Sequence, residues 1–263
     1  MAMPHTSKAL GRRTARWLVS LIVPVALLLV WWFVSLDSTS PFWPSLKSIV
    51  TSFRDLWLFD RFGSDILPSL GRMLAGYALA VVVGVGLGVP LGRLPVLRRA
   101  FEPALQFLRA LPATALVPVG IVLLGIGNAP KIALTAFVTV FPVLLNTVDG
   151  VRAVGRELED TARSYRLTRA QRVLLVQLPA AAPNILAGMR IALSVSFVMM
   201  VVTELTAATS GIGFVTLQAQ QSFQVSEMWA GMLLLGILGV LFNGAFVLVE
   251  RRLLRWYTKE QGS

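Results

Sequence analysis

The chain has 263 residues, of which 56% are hydrophobic and 14% charged, with a formal net charge of +11. Soluble domains carry roughly a quarter charged residues, so the composition excludes an ordinary soluble domain and points to an integral membrane protein. The absence of cysteine excludes disulfides and thiolate metal sites, and the one histidine, His5, lies in the amino-terminal tail, which leaves little for metal or imidazole chemistry.

Residues 1–16 form a tail bearing Lys8, Arg12, Arg13 and Arg16. The first apolar run, Trp17 to Leu36, is longer than the roughly 7 to 15 residues of a signal peptide's apolar region. No small-x-small site precedes Asp37, so the run is expected to be an uncleaved helix. From Asp37 to Leu67 the pattern predicts a turn and then an amphipathic helix, with Leu46, Ile49, Val50, Phe53, Leu56 and Trp57 on one stripe. Its aromatics suit a place on the outer membrane surface. The second span, Ser69 to Leu91, carries Gly76, Ala80, Gly84, Gly88 and Gly92 at intervals of four residues. That spacing makes a small-residue groove on one helix face, where a neighbouring backbone can approach closely. The groove serves bundle packing or dimerisation, or lines the pathway.

The third span, Phe101 to Gly125, is interrupted by Arg109 and Pro112, and the fourth, Pro130 to Val148, contains Pro142. Such interruptions free backbone carbonyls that only protein or water can satisfy, which suits a bundle around a polar pathway. Asn146 and Thr147 lie near the inner end of the fourth span. Next comes an arginine-rich segment, Gly150 to Pro179. Val151, Val154, Leu158, Ala162 and Tyr165 share a helical stripe there, while Arg152, Arg156, Glu159, Arg163 and Arg166 charge the remainder. A second short helix is expected from an N-cap at Thr168 through Gln171 to Val176, ended by Leu178-Pro179. Two short helices joined by a turn make a projection for a cytoplasmic partner; the alternative is a basic surface that only attracts anionic headgroups.

The fifth span, Asn184 to Ala207, ends near Thr203 and Glu204 and carries Ser194 and Ser196. A carboxylate beside hydrocarbon is a functional candidate by default; the structural alternative is that Glu204 accepts N–H bonds from the following TSGIG turn. Glu204, Thr203, Asn146 and Ser194 are therefore the pathway candidates. The sixth span, Met228 to Glu250, leads to a basic tail, 251–263.

Six spans, each near the ~20 residues that cross a bilayer, make an all-α membrane protein with one domain, 17–250, between two tails. With the amino terminus inside, 19 of the 24 basic residues fall on the cytoplasmic side, and both termini are cytoplasmic. The net charge is then a matter of topology and gives no reason to invoke nucleic acid. No Ser/His/Asp set, H-E-x-x-H or G-x-x-x-x-G-K occurs. No catalytic residue, metal site or cofactor is expected on this chain, and any ATP must be bound by another one.

The order of these elements, with PSLGRMLAGYALAVVVGVGLGVPLG, FEPALQFLRALPATALVPVGIVLLGIGNAPKIAL, FPVLLNTVDGV, LPAAAPNILAGMRIAL and VTELTAATSGIGF, resembles the permease subunits of binding-protein-dependent ABC importers. More narrowly, it is similar to the branch handling sulfonates, taurine, nitrate, bicarbonate and thiamine precursors. The resemblance implies a type I, MetI-like permease fold in the bacterial inner membrane. It also implies a dimer of ATPase subunits holding ATP and Mg, an external binding protein, a second permease subunit and surrounding lipid as partners. The family's cytoplasmic E-A-A motif reads E-A-A, three residues, G, nine residues, then a hydrophobic residue, any residue and L-P. It falls here on Asp160-Thr161-Ala162, Arg166, Val176, Leu178 and Pro179. In the family this segment forms the coupling helices, which implies that Glu159, Asp160, Thr161, Ala162, Arg163, Arg166, Leu178 and Pro179 meet the ATPase. Arg166 stands where the family has glycine; the favoured expectation is that the turn is rebuilt without a left-handed residue. The alternative is that this subunit pairs with a more typical permease. The transported solute is expected to be small and polar, and anionic by the resemblance. A different class of function, an ion-coupled secondary transporter with Glu204 as proton site, would show internal repeats, and no convincing repeat is found. A membrane-anchored scaffold would not need so many broken spans.

Overall fold

The computed structural model describes residues 22–23, 25–26, 29–35 and 42–255, and all regular structure among them is helical. Of the first predicted span, residues 22–23, 25–26 and 29–35 are helical; its other residues, His5 and the tails 1–16 and 256–263 lie outside the described residues. Helix α1, Leu46–Ser52, begins at Ser45, whose hydroxyl accepts from the Ser48 N–H at 3.3 Å and satisfies one of the free amides of the first turn. Two π-helical stretches, Phe53–Asp60 and Phe62–Ile66, lead into α2, Leu67–Arg93.

The apolar stripe of this segment packs in part against the rest of the chain, with Val50 left 50% exposed. Ile49 and Trp57 are 1% and 0% exposed and belong to the main hydrophobic cluster with Met73, Met200, Ile212 and Leu234. The wall that covers them includes the final helix, Val225–Leu253. Beside them the rings of Trp31, Trp43 and Trp229 pack with centroids 5.2 to 6.1 Å apart.

The small residues of α2 face α5, Asn128–Arg152. A Cβ built at Gly76 would meet Thr135, at Gly84 Val143, at Gly88 Thr147 and at Gly92 Val151, each at 2.6 to 2.8 Å; Ala80 on the same face is buried. The partner residue advances in step with the glycine, so α2 and α5 run parallel with their backbones in contact. Two parallel neighbours require the chain between them to return to the starting side. That return is made by α3, Pro95–Ala110, and α4, Leu116–Leu124, joined through a single 3-10 turn at Ala113–Ala115.

The predicted third span, Phe101 to Gly125, is here a bent pair of helices and not one continuous rod. The two pieces are long and apolar enough to cross a membrane only taken together, and they are bent by 81°. Pro112 disfavours helix at the residue before it, and Leu111 is extended at φ −68, ψ 128. Gly125, at φ 78, then ends α4 in a left-handed conformation that is open to glycine. By contrast, Phe62–Arg93, Asn128–Arg152, Arg169–Thr206 and Val225–Leu253 are each long and apolar enough to cross alone.

The short helix α6, Arg156–Ser164, is followed by a single turn, Arg169–Gln171, a π-helical stretch, Arg172–Gln177, and α7, Leu178–Ala207. Leu178-Pro179 therefore does not end a helix: the rod runs on through it. A proline ring collides with the carbonyl four residues back in an α-helix. In the π stretch bonds run five residues back, as from the Leu178 N–H to the Val173 carbonyl, and the wider turn tolerates the ring. Helix α7 packs antiparallel on α5, with Gly150 against Ala181 and Asn184, and Gly188 against Pro142 and Asn146. The chain closes with α8, Ile212–Gln221, and α9, Val225–Leu253.

Candidate functional site

Helix α6 stops in a Schellman motif. The Arg166 N–H donates to the Arg163 carbonyl at 2.8 Å and the Leu167 N–H to the Ala162 carbonyl at 3.1 Å, closing the paired bonds that define this stop. The motif places the residue after the cap in the left-handed region, and Arg166 sits there at φ 56. The expectation of a turn rebuilt without a left-handed residue is thereby corrected: the geometry that suits glycine is kept, with arginine in it. One bond pair and an exposed side chain offset the roughly 1 kcal/mol that Cβ crowding costs in this conformation.

Thr168 then caps the following turn. Its hydroxyl accepts from the Gln171 N–H at 3.3 Å while the Gln171 side chain accepts from the Thr168 N–H at 2.9 Å, a reciprocal capping box. Glu159 ties the two pieces together, accepting from Arg172 at 2.9 Å and from the Gln177 amide at 2.9 Å. The Gln177 hydrogen bond, aided by the Arg172 charge and opposed by partial burial, holds the Glu159 carboxyl below its ordinary value. Ala162 is 3% exposed and packs inward. Thr161 donates to the Glu157 carbonyl at 2.8 Å. Leu158 and Tyr165 remain exposed, as does Asp160, with only a loose approach of 3.9 Å to the exposed Arg163. Leu178 packs beside Val151, Ala181 and Ile185, whereas Pro179 is exposed.

At the other end of the Arg169–Ala207 rod, Glu204 is 1% exposed. Its carboxylate accepts from the Arg72 guanidinium at 2.6 Å, from the Ser69 hydroxyl at 2.6 Å and from the Gly213 N–H at 3.0 Å. The Gly213 bond belongs to the turn after α7, so the structural alternative raised for Glu204 describes its geometry. Arg72, 7% exposed, also reaches Asn128 at 3.2 Å and the Ser210 carbonyl at 3.4 Å. Asp65 joins the knot by accepting from the Gly211 N–H at 2.7 Å. Arg72, Ser69 and Asp65 escaped the sequence reading. A usable signal was present, because Arg72 and Glu204 are opposite charges near the same end of two apolar runs.

The other pathway candidates are scattered. Thr203 is buried, donates to the Met200 carbonyl at 2.9 Å and borders a cavity of about 240 Å³ with Lys131. The Asn146 amide donates to the Pro142 carbonyl at 2.8 Å, inside its own helix. Ser194 lies beside Val198 and Met199 on a shallow apolar cavity of about 350 Å³. Thr147 donates to the Val143 carbonyl at 2.7 Å and Ser196 to the Leu193 carbonyl at 2.8 Å. Hydroxyls in membrane helices commonly bond to their own helix in this way. Among the described residues no group of three or more His, Cys, Asp or Glu side chains is placed to hold a metal ion.

Comparison with known proteins gives consistent matches. The family model described as "Binding-protein-dependent transport system inner membrane component" matches residues 80–257. The permease protein SsuC of Bacillus subtilis, named for transport of aliphatic sulfonates, is 32% identical over 96% of this chain and 92% of its own. The taurine transport system permease protein TauC of Escherichia coli is 32% identical over 89% of this chain and 88% of its own. The bicarbonate transport system permease protein CmpB of Synechococcus elongatus is 30% identical over 86% of each chain. Among solved structures, an inward-facing MetNI methionine ABC transporter contains a chain of like fold, with TM-score 0.64 and 20% identity, covering 72% of this chain and 94% of that one.

Proposed function

Since this chain belongs to the binding-protein-dependent transport system inner membrane components, the permease subunits of ABC importers, we propose that it works by alternating access without chemistry of its own. Two such permease subunits form the pathway in the bacterial inner membrane, each with six spans and both termini in the cytoplasm. An external binding protein delivers the solute, and a dimer of ATPase subunits holding ATP and Mg supplies the free energy. The solute is small and polar and carries an anionic group, a reading supported by relatives named for sulfonates, taurine and bicarbonate.

The observation that carries the reading is the build of the 150–179 segment. Its inward side is held by Glu159, Arg172, Gln177 and buried Ala162, while Leu158, Asp160 and Tyr165 are left exposed for a partner. An apolar patch with a charge beside it is a docking surface that fixes both affinity and register. The segment is also the root of a rod, Arg169–Thr206, of 38 residues, roughly 57 Å at 1.5 Å per residue. A tilt imposed at the docking surface is carried by that rod to the Glu204 knot. Ligand-driven change requires a free-energy difference between states, and ATP-driven closure of the ATPase pair against this surface supplies it. Uptake into proteoliposomes should require the ATPase partner and ATP. Uptake driven by a proton gradient alone would instead establish a secondary transporter.

A further inference from the structure

A cavity of about 1010 Å³ opens between the α2–α3 elbow and the 150–179 segment. Six arginines line it, Arg93, Arg98, Arg152, Arg163, Arg169 and Arg172, against a single carboxylate, Glu159. Glu159 is already engaged by Arg172 and Gln177. Arg152 has a loose approach to the exposed Asp149 at 3.7 Å, and Arg163 to Glu159 at 3.8 Å and to the exposed Asp160 at 3.9 Å. Among the described residues no carboxylate comes within 4.0 Å of Arg93, Arg98 or Arg169. Guanidinium groups gathered round one cavity repel each other, and the repulsion falls when an anion with several acceptor oxygens enters.

We propose that this cavity is a headgroup site for an anionic phospholipid, whose phosphodiester is held by Arg93 and Arg98 from the elbow and by Arg169 and Arg172 from the segment. An exposed apolar side chain in its wall, with another close by on the elbow, favours a lipid over a soluble ion or a protein carboxylate. Leu94, itself in the cavity wall, is 53% exposed and Val96 on the elbow 82%. Acyl chains cover such residues where a hydrophilic ligand leaves them in water, and basic pockets between helices on the cytoplasmic side are a recurrent way to hold lipid headgroups. The bound lipid bridges elbow and segment, so its presence sets how firmly the segment is held. The inference rests on the proposed cytoplasmic placement of the segment.

The test uses the full chain in detergent micelles, without ATP or solute, so that its outcome is separate from that of the uptake experiment. Phosphatidylglycerol or cardiolipin is added against phosphatidylcholine, and the lipid retained per chain is counted by native mass spectrometry. The wild type should retain the anionic lipid selectively. Arg93→Gln with Arg98→Gln should weaken retention roughly thirtyfold, whereas Arg251→Gln with Arg252→Gln, two exposed arginines at the end of α9, should leave it nearly unchanged. Thermal unfolding of each variant identifies any loss that stems from misfolding. Because removing like charges relieves repulsion, the elbow pair should unfold no earlier than the wild type; a drop calls for Arg93→Lys with Arg98→Lys, which keeps the charge and should retain the lipid. Equal loss from both pairs would reduce the effect to overall charge and overturn the site. Displacement of the lipid by inorganic phosphate at comparable concentration would overturn the lipid assignment in favour of a soluble oxyanion. Unchanged lipid retention with weakened capture of the ATPase subunit would assign these arginines to that partner.

Discussion

A carboxylate and a guanidinium shut away from water lose hydration that only their own contacts replace, and Arg72 and Glu204 meet at 2.6 Å with exposures of 7% and 1%. Removing one partner strands the other, so Glu204→Gln or Arg72→Met should each destabilise the fold by about 3 to 5 kcal/mol. Replacing both with apolar residues, Arg72→Met with Glu204→Leu, should recover much of that loss, as read by unfolding in detergent. If the double variant is no better than the singles, the ion pair is not what makes them fragile. Arg166 poses the opposite case, a residue tolerated in a conformation that does not favour it. Arg166→Gly should hold or raise the stability of the α6 stop by up to about 1 kcal/mol, while Arg166→Val, with a branched Cβ, should lower it. Hydrogen exchange at the Arg166 and Leu167 amides reports both directions. Glu204 was legible as a costly residue from its place beside an apolar run, but its partner lies 132 residues away in the chain, and local pattern carries no such information.

Helix pairing depends on what a face lacks as much as on what it bears. Along α2 the missing side chains at Gly76, Gly84, Gly88 and Gly92 admit Thr135, Val143, Thr147 and Val151 of α5. Gly88→Ala puts a methyl 2.6 Å from the Thr147 Cβ and should destabilise by about 1 to 3 kcal/mol, despite alanine's better helix propensity. Gly86→Ala, with nothing within 4 Å of the new atom, should be neutral or stabilising in the same unfolding assay. The four-residue spacing was visible in the sequence; the identity of the helix that fills the groove was not. The α3–α4 bend divides similarly. Pro112 and Arg109 marked the weak point, whereas the 81° angle between the two pieces is set by how they pack and was not legible in the sequence.

At the scale of the whole molecule, the Arg169–Ala207 rod joins two polar anchors, Glu159 at its root and Glu204 near its far end. The Glu159 carboxyl titrates below its ordinary value of 4.5 because Gln177 and Arg172 favour the charged form. Its stabilising contribution is therefore fully present above that value and is lost as pH falls through the lower, folded one. Amides of α6 and of the Arg172–Gln177 stretch should keep their hydrogen-exchange protection from neutral pH down to the ordinary carboxylate range and lose it in stronger acid. Glu159→Gln should lower protection at neutral pH and abolish that acid step. An unchanged acid step in the variant would trace it to another carboxyl.

Helical class, membrane residence, the uncommon arginine-rich insert and the likeness to importer permeases were all open to reading from the chain by itself. Each depends on composition, periodicity or the order of short stretches, which local chemistry dictates. Tertiary structure alone decided that Trp57 is buried in protein, that α2 and α5 lie parallel, that Leu178-Pro179 sits within a continuous rod, that Arg166 keeps a left-handed turn and that Arg72 closes on Glu204. The reason is common to all five. In each, the free energy of a residue is set by a neighbour distant in the chain or by a closed hydrogen-bonded turn, and that neighbour is specified only once the helices have packed.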